Sequence, residues 1–237
     1  MQDYVDCIVR FHDPSRIFEL SRCIFSLVSQ DYQPVNILLV VQRFSQSELA
    51  SVRQHIEPLL AGSPGCSLRL LNYSLGHGDS RSAMINFALS QCHGRYLGFL
   101  DYDDVLYPEA YKILIETLQS SHAAVAFASV RLLEVEVCKN WLYALRKRPS
   151  PFRGSSLIDL FRQNFCPLHS YLLDKTRIED PKDLSFDPLM TLEEDYDFLL
   201  KVCAKYESDF SLLGNDLGDY YFKTDGSNTP ILRISRG

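Results

Sequence analysis

Two segments of this 237-residue chain are apolar on nearly every residue, and they constrain the fold more than any other feature. Val35-Asn36-Ile37-Leu38-Leu39-Val40-Val41 and Tyr96-Leu97-Gly98-Phe99-Leu100 lack the in–out alternation of a strand with one wet face. A strand of this kind is buried on both faces, which implies a parallel sheet covered by helices. The neighbouring segments supply the helices. Ile17, Leu20, Ile24, Leu27 and Val28 recur at helical spacing behind an Asp13-Pro14-Ser15 start. Further helices are expected over 45–60, 80–92 and 108–121, the last with Pro108 in its favoured first-turn position. Strands are expected over 5–11, 67–72 and 123–133. The order predicts an α/β fold with a mostly parallel central sheet flanked by helices.

Beyond residue 133 the pattern loosens. A short helix is expected over 157–164 and a strand over 169–173. A helix over 192–206 carries Leu192, Phe198, Leu199 and Val202, and a last strand spans 220–223 before a polar Thr224-Asp225-Gly226-Ser227-Asn228 turn. No repeat, low-complexity tract or linker interrupts the chain, so one domain over 1–237 is expected.

At 46% hydrophobic residues the chain can bury a core. Its net charge of -6 argues against a nucleic-acid partner, which calls for a basic surface. Nucleotides remain open, because their phosphates can be neutralised locally. The seven cysteines are odd in number and form no CxxC pair, which points to buried, reduced thiols in a cytoplasmic protein. Met1 to Asp6 does not read as a signal peptide, and no apolar stretch approaches the ~18 residues of a membrane span. Trp141 to Arg148 mixes aromatic and basic residues, so the readings are a solvated loop or a peripheral contact at the inner face of a membrane.

The second apolar run ends in Asp101-Tyr102-Asp103-Asp104. In α/β sheets ligands bind beyond the carboxyl ends of the strands, and these acids sit at one such end. Carboxylates about 5 Å apart repel by about 3 kcal/mol per pair at an effective dielectric near 20. Protonation, a basic partner or a hard cation must offset that repulsion. Oxygen-only ligands suit Mg²⁺ or Mn²⁺, with phosphate oxygens completing the shell. The alternative is a solvated turn that caps the next helix. A second acidic block, Glu193-Glu194-Asp195 with Asp197, opens a helix. Such acids complement the helix dipole, or one of them serves as a general base.

In order and spacing, these blocks resemble the inverting GT-A glycosyltransferases of family 2. The similarity rests on Asn72, Gly76, Asn86, Gly94-Arg95-Tyr96, Asp101-Tyr102-Asp103-Asp104 with Pro108 following, and Glu194-Asp195-Tyr196-Asp197. It implies transfer of a sugar from a nucleotide-diphosphate donor to a glycan or lipid-linked acceptor, in cell-surface polysaccharide or glycan synthesis. It further implies a donor half over 1–107 and an acceptor half over 108–237. By the same resemblance Asp101 contacts the nucleoside or sugar, Asp103 ligates Mn²⁺ or Mg²⁺, and Asp104 supports that site. Asp195 becomes the catalytic base, with Glu194 beside it shaping the acceptor pocket. Phe11 and His12 fall in the first loop, where the family meets the nucleotide.

Three places depart from the family pattern. Gln42-Arg43-Phe44-Ser45 replaces an Asp-Asp-Gly-Ser run, which leaves Gln42 to read a base edge and Arg43 to meet a phosphate. Met84-Ile85-Asn86 lacks the family's arginine, for which Arg81 one turn earlier is the substitute. Lys223-Thr224 stands where a histidine is usual, so Lys223 either neutralises a phosphate or alters the metal's role. These departures motivate an alternative, a non-catalytic sugar-nucleotide-binding domain or a module of a larger glycan-assembly enzyme. A nucleotidyltransferase ranks last, because Arg10-Phe11-His12-Asp13-Pro14 is no phosphate loop.

Overall fold

The computed structural model describes residues 2–75, 80–138, 141–148 and 153–226. Gly76, His77 and the end of the polar turn, Ser227-Asn228, lie outside the described residues. Four strands, β1 (Gln2–Phe11), β2 (Val35–Gln42), β3 (Cys66–Tyr73) and β4 (Gly94–Asp101), run parallel in the order β3-β2-β1-β4. They alternate with α1 (Ile17–Val28), α2 (Gln46–Leu60) and α3 (Arg81–Leu89). The apolar runs are buried on both faces, as their composition requires. Cys7, Val9, Ile37, Leu39 and Val41 pack with Leu20, Ile24 and Leu27 of α1 and Val52 and Ile56 of α2. Ile8, Leu38 and Val40 pack on the opposite face against Met84, Ile85 and Ala88 of α3.

The remaining elements are β5 (Val105–Leu106), α4 (Ala110–Ser120), β6 (Val125–Cys138), β7 (Trp141–Arg148), α5 (Leu157–Arg162), β8 (Tyr171–Asp174), α6 (Glu194–Cys203) and β9 (Ser208–Lys223). They extend the sheet as β4-β8-β6-β9-β5, with β7 on β6. This half is mixed: β8 is antiparallel to both neighbours, β5 and β7 are antiparallel to theirs, and β9 is parallel to β6. The 141–148 segment is therefore an outer strand rather than a loop, with Trp141, Tyr143 and Leu145 exposed. All seven cysteines are free, and Cys138 at the end of β6 is exposed rather than buried.

Two features place the carboxyl ends of β1 and β4 with precision. Arg10 of β1 stands directly opposite Asp101 of β4 in the parallel register. At the other end of the pair, buried Asp6 accepts hydrogen bonds from the Gly94 N–H and from Asn36 Nδ2, both at 2.7 Å. Gly94 is required there, because a Cβ would lie 2.6 Å from the Tyr4 carbonyl oxygen. Gly94→Ala is expected to force the two strands apart and cost about 1–3 kcal/mol, as overpacking does, read as a lower urea midpoint.

Candidate active site

Beyond the carboxyl ends of β1, β2 and β4 lies a cleft of about 520 Å³. Arg10, His12 and Gln42 reach it from the first two strands, Arg16 and Arg81 from the start of the helices, and Asp101, Asp103 and Asp104 from the end of β4. Tyr220 and Tyr221 of β9 close the remaining wall. The position follows from the topology. β1 sends the chain to β2 on one side and pairs with β4 on the other, so a crevice opens where the connections diverge.

Arg10 ties the two acidic blocks together. Its Nε and Nη2 donate to Asp101 Oδ1 at 3.2 and 2.8 Å, and its Nη1 donates to Glu194 Oε1 at 2.9 Å. Burial works against charge on Asp101, but the Arg10 guanidinium holds its carboxyl below the ordinary range. Burial likewise opposes charge on Arg10, and the two carboxylates outweigh it. Arg81 adds a second cation 3.8 Å from Glu194 and donates to the Thr191 carbonyl.

Asp195 follows Glu194 in the first turn of α6. Its carboxyl is pushed up to about 6, first by burial and then by the Glu194 charge, against the pull of Arg10. A carboxyl raised this far is still mostly ionised at neutral pH and lies closer to the range in which a general base is most effective. The helix is fixed by aromatic packing: Phe198 stacks on Phe186 at 4.3 Å, and Phe99 of β4 meets both edge-on at 5.7 and 5.6 Å. The chain enters α6 through Glu193 in the left-handed region, φ 56°.

The Asp101–Asp104 cluster finds its counter-charges inside the protein. Asp103 Oδ2 lies 2.8 Å from Lys223 Nζ, which also lies 2.7 Å from Glu19. Asp104 is buried; its Oδ1 accepts the Tyr221 N–H at 2.8 Å, and its Oδ2 is 3.3 Å from His169 Nδ1. Burial, then Asp103, raises the Asp104 carboxyl well above its usual range. Burial also lowers the His169 imidazole to about 4, so it is neutral at physiological pH, stacked on Tyr220. Among the described residues, no group of three or more His, Cys, Asp or Glu side chains is arranged to hold a metal ion. Asp101, Asp103 and Asp104 thus form no cage by themselves, and an ion on them would need phosphate oxygens to complete its shell. One oxygen of each is already engaged: Asp101 Oδ1 by a guanidinium, Asp103 Oδ2 by an ammonium and Asp104 Oδ1 by a backbone amide.

The sequence-based candidates divide three ways. His12, Gln42, Arg81, Asp101, Asp103 and Asp104 come together on the cleft wall, with Glu194 joined through Arg10 and Lys223 behind Asp103. Gln42 donates to Ser80 Oγ at 3.1 Å. Three others are placed elsewhere. Phe11 is fully buried between the rings of Phe44 and Tyr102, as the last apolar residue of β1 must be. Arg43 is exposed, because its left-handed backbone (φ 54°) swings the side chain out while its N–H pairs with the Tyr73 carbonyl. Asn86 clamps a backbone instead of a nucleotide: its Nδ2 donates to the Phe186 carbonyl at 2.7 Å and its Oδ1 accepts the Phe186 N–H at 2.8 Å. Asn72 clamps Phe44 in the same way, at 2.8 and 3.0 Å.

Sequence reasoning missed Arg10, Arg16, Glu19 and the two tyrosines of β9. Arg10 carried a signal, as the one basic residue of its strand, next to its carboxyl end. Glu19 carried none, since it looks like any acid in the first turn of a helix.

The model for "Glycosyl transferase family 2" matches residues 18–168, and the chain belongs to that family. An uncharacterized glycosyltransferase of Methanocaldococcus jannaschii, MJ1057, is 21% identical over 139 residues, covering 55% of this chain and 42% of that protein. S. aureus TarS 1-349 superposes with a TM-score of 0.65 at 15% identity, over 93% of this chain and 60% of TarS 1-349. The mannosyltransferase PcManGT of Pyrobaculum calidifontis, solved with GDP-Man and Mn²⁺, gives 0.61 at 13% identity, over 93% of this chain and 57% of its own. The fold is therefore the GT-A α/β fold, and the chain spans less than two thirds of each of these relatives.

Asn86→Ala leaves both backbone groups of Phe186 without their partner. A stability loss of about 1–3 kcal/mol is expected, with nucleotide affinity per folded molecule unchanged, as calorimetry on the purified variant would show.

Proposed function

We propose that this domain transfers a glycosyl residue from a nucleoside-diphosphate sugar to an acceptor hydroxyl by a single displacement that inverts the anomeric carbon. The observation that carries the reading is the meeting of the two acidic blocks on Arg10: it binds Asp101 of the cleft wall and Glu194, and the raised carboxyl of the adjoining Asp195 feels the charges of both Arg10 and Asp101. TarS is also solved with UDP-GlcNAc, and PcManGT with GDP-Man and Mn²⁺, which supports a nucleotide-sugar donor for this cleft.

In this reading His12 and Gln42 border the nucleoside, and Arg16 and Arg81 face the phosphates. Asp195 accepts the proton of the acceptor hydroxyl as that oxygen bonds to the anomeric carbon. The bond from carbon to phosphate oxygen breaks, and its electron pair leaves with the diphosphate. Holding donor and acceptor in line supplies part of the acceleration through orientation. Residues 1–107 form the donor half and 108–237 the acceptor half, with β9 crossing back to close the donor wall. The acceptor is a glycan or lipid-linked hydroxyl, and exposed Leu189 and Leu192 offer an apolar rim just before α6. Among the described residues no helix is long and apolar enough to cross a membrane. We place the reaction on the cytoplasmic side, with the outer strand β7 as a peripheral contact.

A thermal-shift panel of UDP, GDP, dTDP and CMP tests donor binding, since a ligand that binds only the native state raises its melting temperature. One nucleotide should shift the transition, and a flat response to all four would sink the proposal. Asp195→Asn should lose at least about a hundredfold in transfer, the low end for a general base, while keeping nucleotide affinity. Native-rate transfer by that variant would remove Asp195 from the mechanism, and native protein that binds donor without transferring would favour a non-catalytic binding domain. The pH profile follows from the same carboxyl. Asp195 must be ionised to take a proton, so the rate should climb with pH through a midpoint of about 6 and plateau above it.

A further inference from the structure

Lys223 is the last residue of β9 and is only 3% exposed. Its ammonium sits at hydrogen-bond distance from two carboxylates, Asp103 on the cleft wall and Glu19 of α1. Glu19 is itself held by Arg16 at 2.8 Å, and Arg16 reaches Asp225 just beyond β9 at 3.2 Å. A closed ionic network thus fixes the ammonium in place behind the acidic cluster. The ammonium also lies over the ring of Tyr102, 5.5 Å from its centroid.

The three acids of the cluster therefore stand in an unusual state. Asp101 is neutralised by Arg10, Asp103 by Lys223, and Asp104 is secured by a backbone amide and a buried histidine. A divalent ion seated on Asp103 would share that carboxylate with a fixed ammonium. Like charges at such short range repel, and among the described residues no group of three or more His, Cys, Asp or Glu side chains is arranged to hold an ion.

We infer that Lys223 is the resident cation of the donor pocket: it neutralises Asp103 from behind, so that a nucleoside diphosphate binds beside the acidic cluster without a divalent metal. The inference rests on the nucleotide-sugar reading above and makes it more specific. Lys223 is a positioning residue, since it acts through Asp103 and does not line the cleft. The facing cations Arg16 and Arg81 then meet the diphosphate directly.

Calorimetric titration of the native protein with UDP and with GDP, in EDTA and in MnCl₂, tests this without any variant. Equal affinity, within about threefold, is expected in the two buffers. Affinity at least tenfold tighter with Mn²⁺ overturns the inference and leaves the transferase reading standing. Binding of neither nucleotide in either buffer overturns that reading and the inference with it. Lys223→Gln supplies the positive arm: metal-free affinity should fall at least tenfold and recover in part with Mn²⁺, whereas unchanged metal-free affinity overturns the proposal. A role confined to stability would lower the melting temperature of this variant without creating a response to Mn²⁺. If Lys223→Gln does not fold, the native titration alone decides.

Discussion

The guanidinium of Arg10 is the interaction on which the rest of the site depends. It is a largely buried cation between two carboxylates from distant parts of the chain, Asp101 at the end of β4 and Glu194 at the start of α6. Removing one partner of a buried ion pair leaves an uncompensated charge, which is far costlier than the pair's net worth. The register of the sheet makes the first contact obligatory, since Arg10 and Asp101 are opposed residues of adjacent parallel strands. The second contact then fixes α6 against the sheet. Donor wall and candidate base are thus positioned by one planar group whose fork geometry suits two carboxylates at once.

The parallel half of the fold was legible because its information is local. Nearly unbroken apolar runs such as Val35 to Val41 read as strands covered on both faces, and the α1 stripe from Ile17 to Val28 reads as a helix that covers them. The other half was not legible for the opposite reason. β9 spans sixteen residues, yet only 220–223 read as a strand, because the alternation in Ser208 to Asp219 stops after Leu212 and gives way to Gly214-Asn215-Asp216. Those residues are extended because they pair with β6, 83 to 88 positions earlier, and no local window contains that fact. The outer strand β7 is exposed and depends on β6 in the same way. The acids of the site were legible by type and place, whereas their partners required the fold. Asn86 shows the converse, a polar residue in a functional-looking block whose two hydrogen bonds are both spent on backbone.

Charge balance also reshapes the meaning of the Asp101–Asp104 cluster. Three options could offset its self-repulsion: protonation, a basic partner or a hard cation. The structure uses the first two. Arg10 and Lys223 provide basic partners, and burial together with Asp103 favours the protonated form of Asp104. The acids therefore organise the pocket by orienting cations and the β9 backbone as much as by presenting free oxygens. That arrangement explains why β9, which enters from the far end of the chain, ends where it does. Its Tyr221 amide and Lys223 ammonium are the groups that the cluster needs.

Backbone conformation supplies the last constraint. Among the described residues only Arg43 and Glu193 hold positive φ without being glycine, and each sits where the chain turns at an edge of the site. A left-handed residue with a side chain costs on the order of 1–2 kcal/mol, so both turns must be held by their surroundings. At Arg43 the surroundings are the Tyr73 carbonyl and the Asn72 clamp on Phe44, which together turn Gln42 toward the cleft side and Arg43 away. At Glu193 they are the Asn86 clamp on Phe186 and the Phe186–Phe198 stack, which hold the segments on either side of the turn. The sharp entry into α6 puts Glu194 and Asp195 in its first turn, where Arg10 and the helix dipole favour the charge on Asp195 while burial and the Glu194 carboxylate oppose it. The raised carboxyl of Asp195 is the balance of those forces, and the Asn86 clamp stabilises the geometry that sets it.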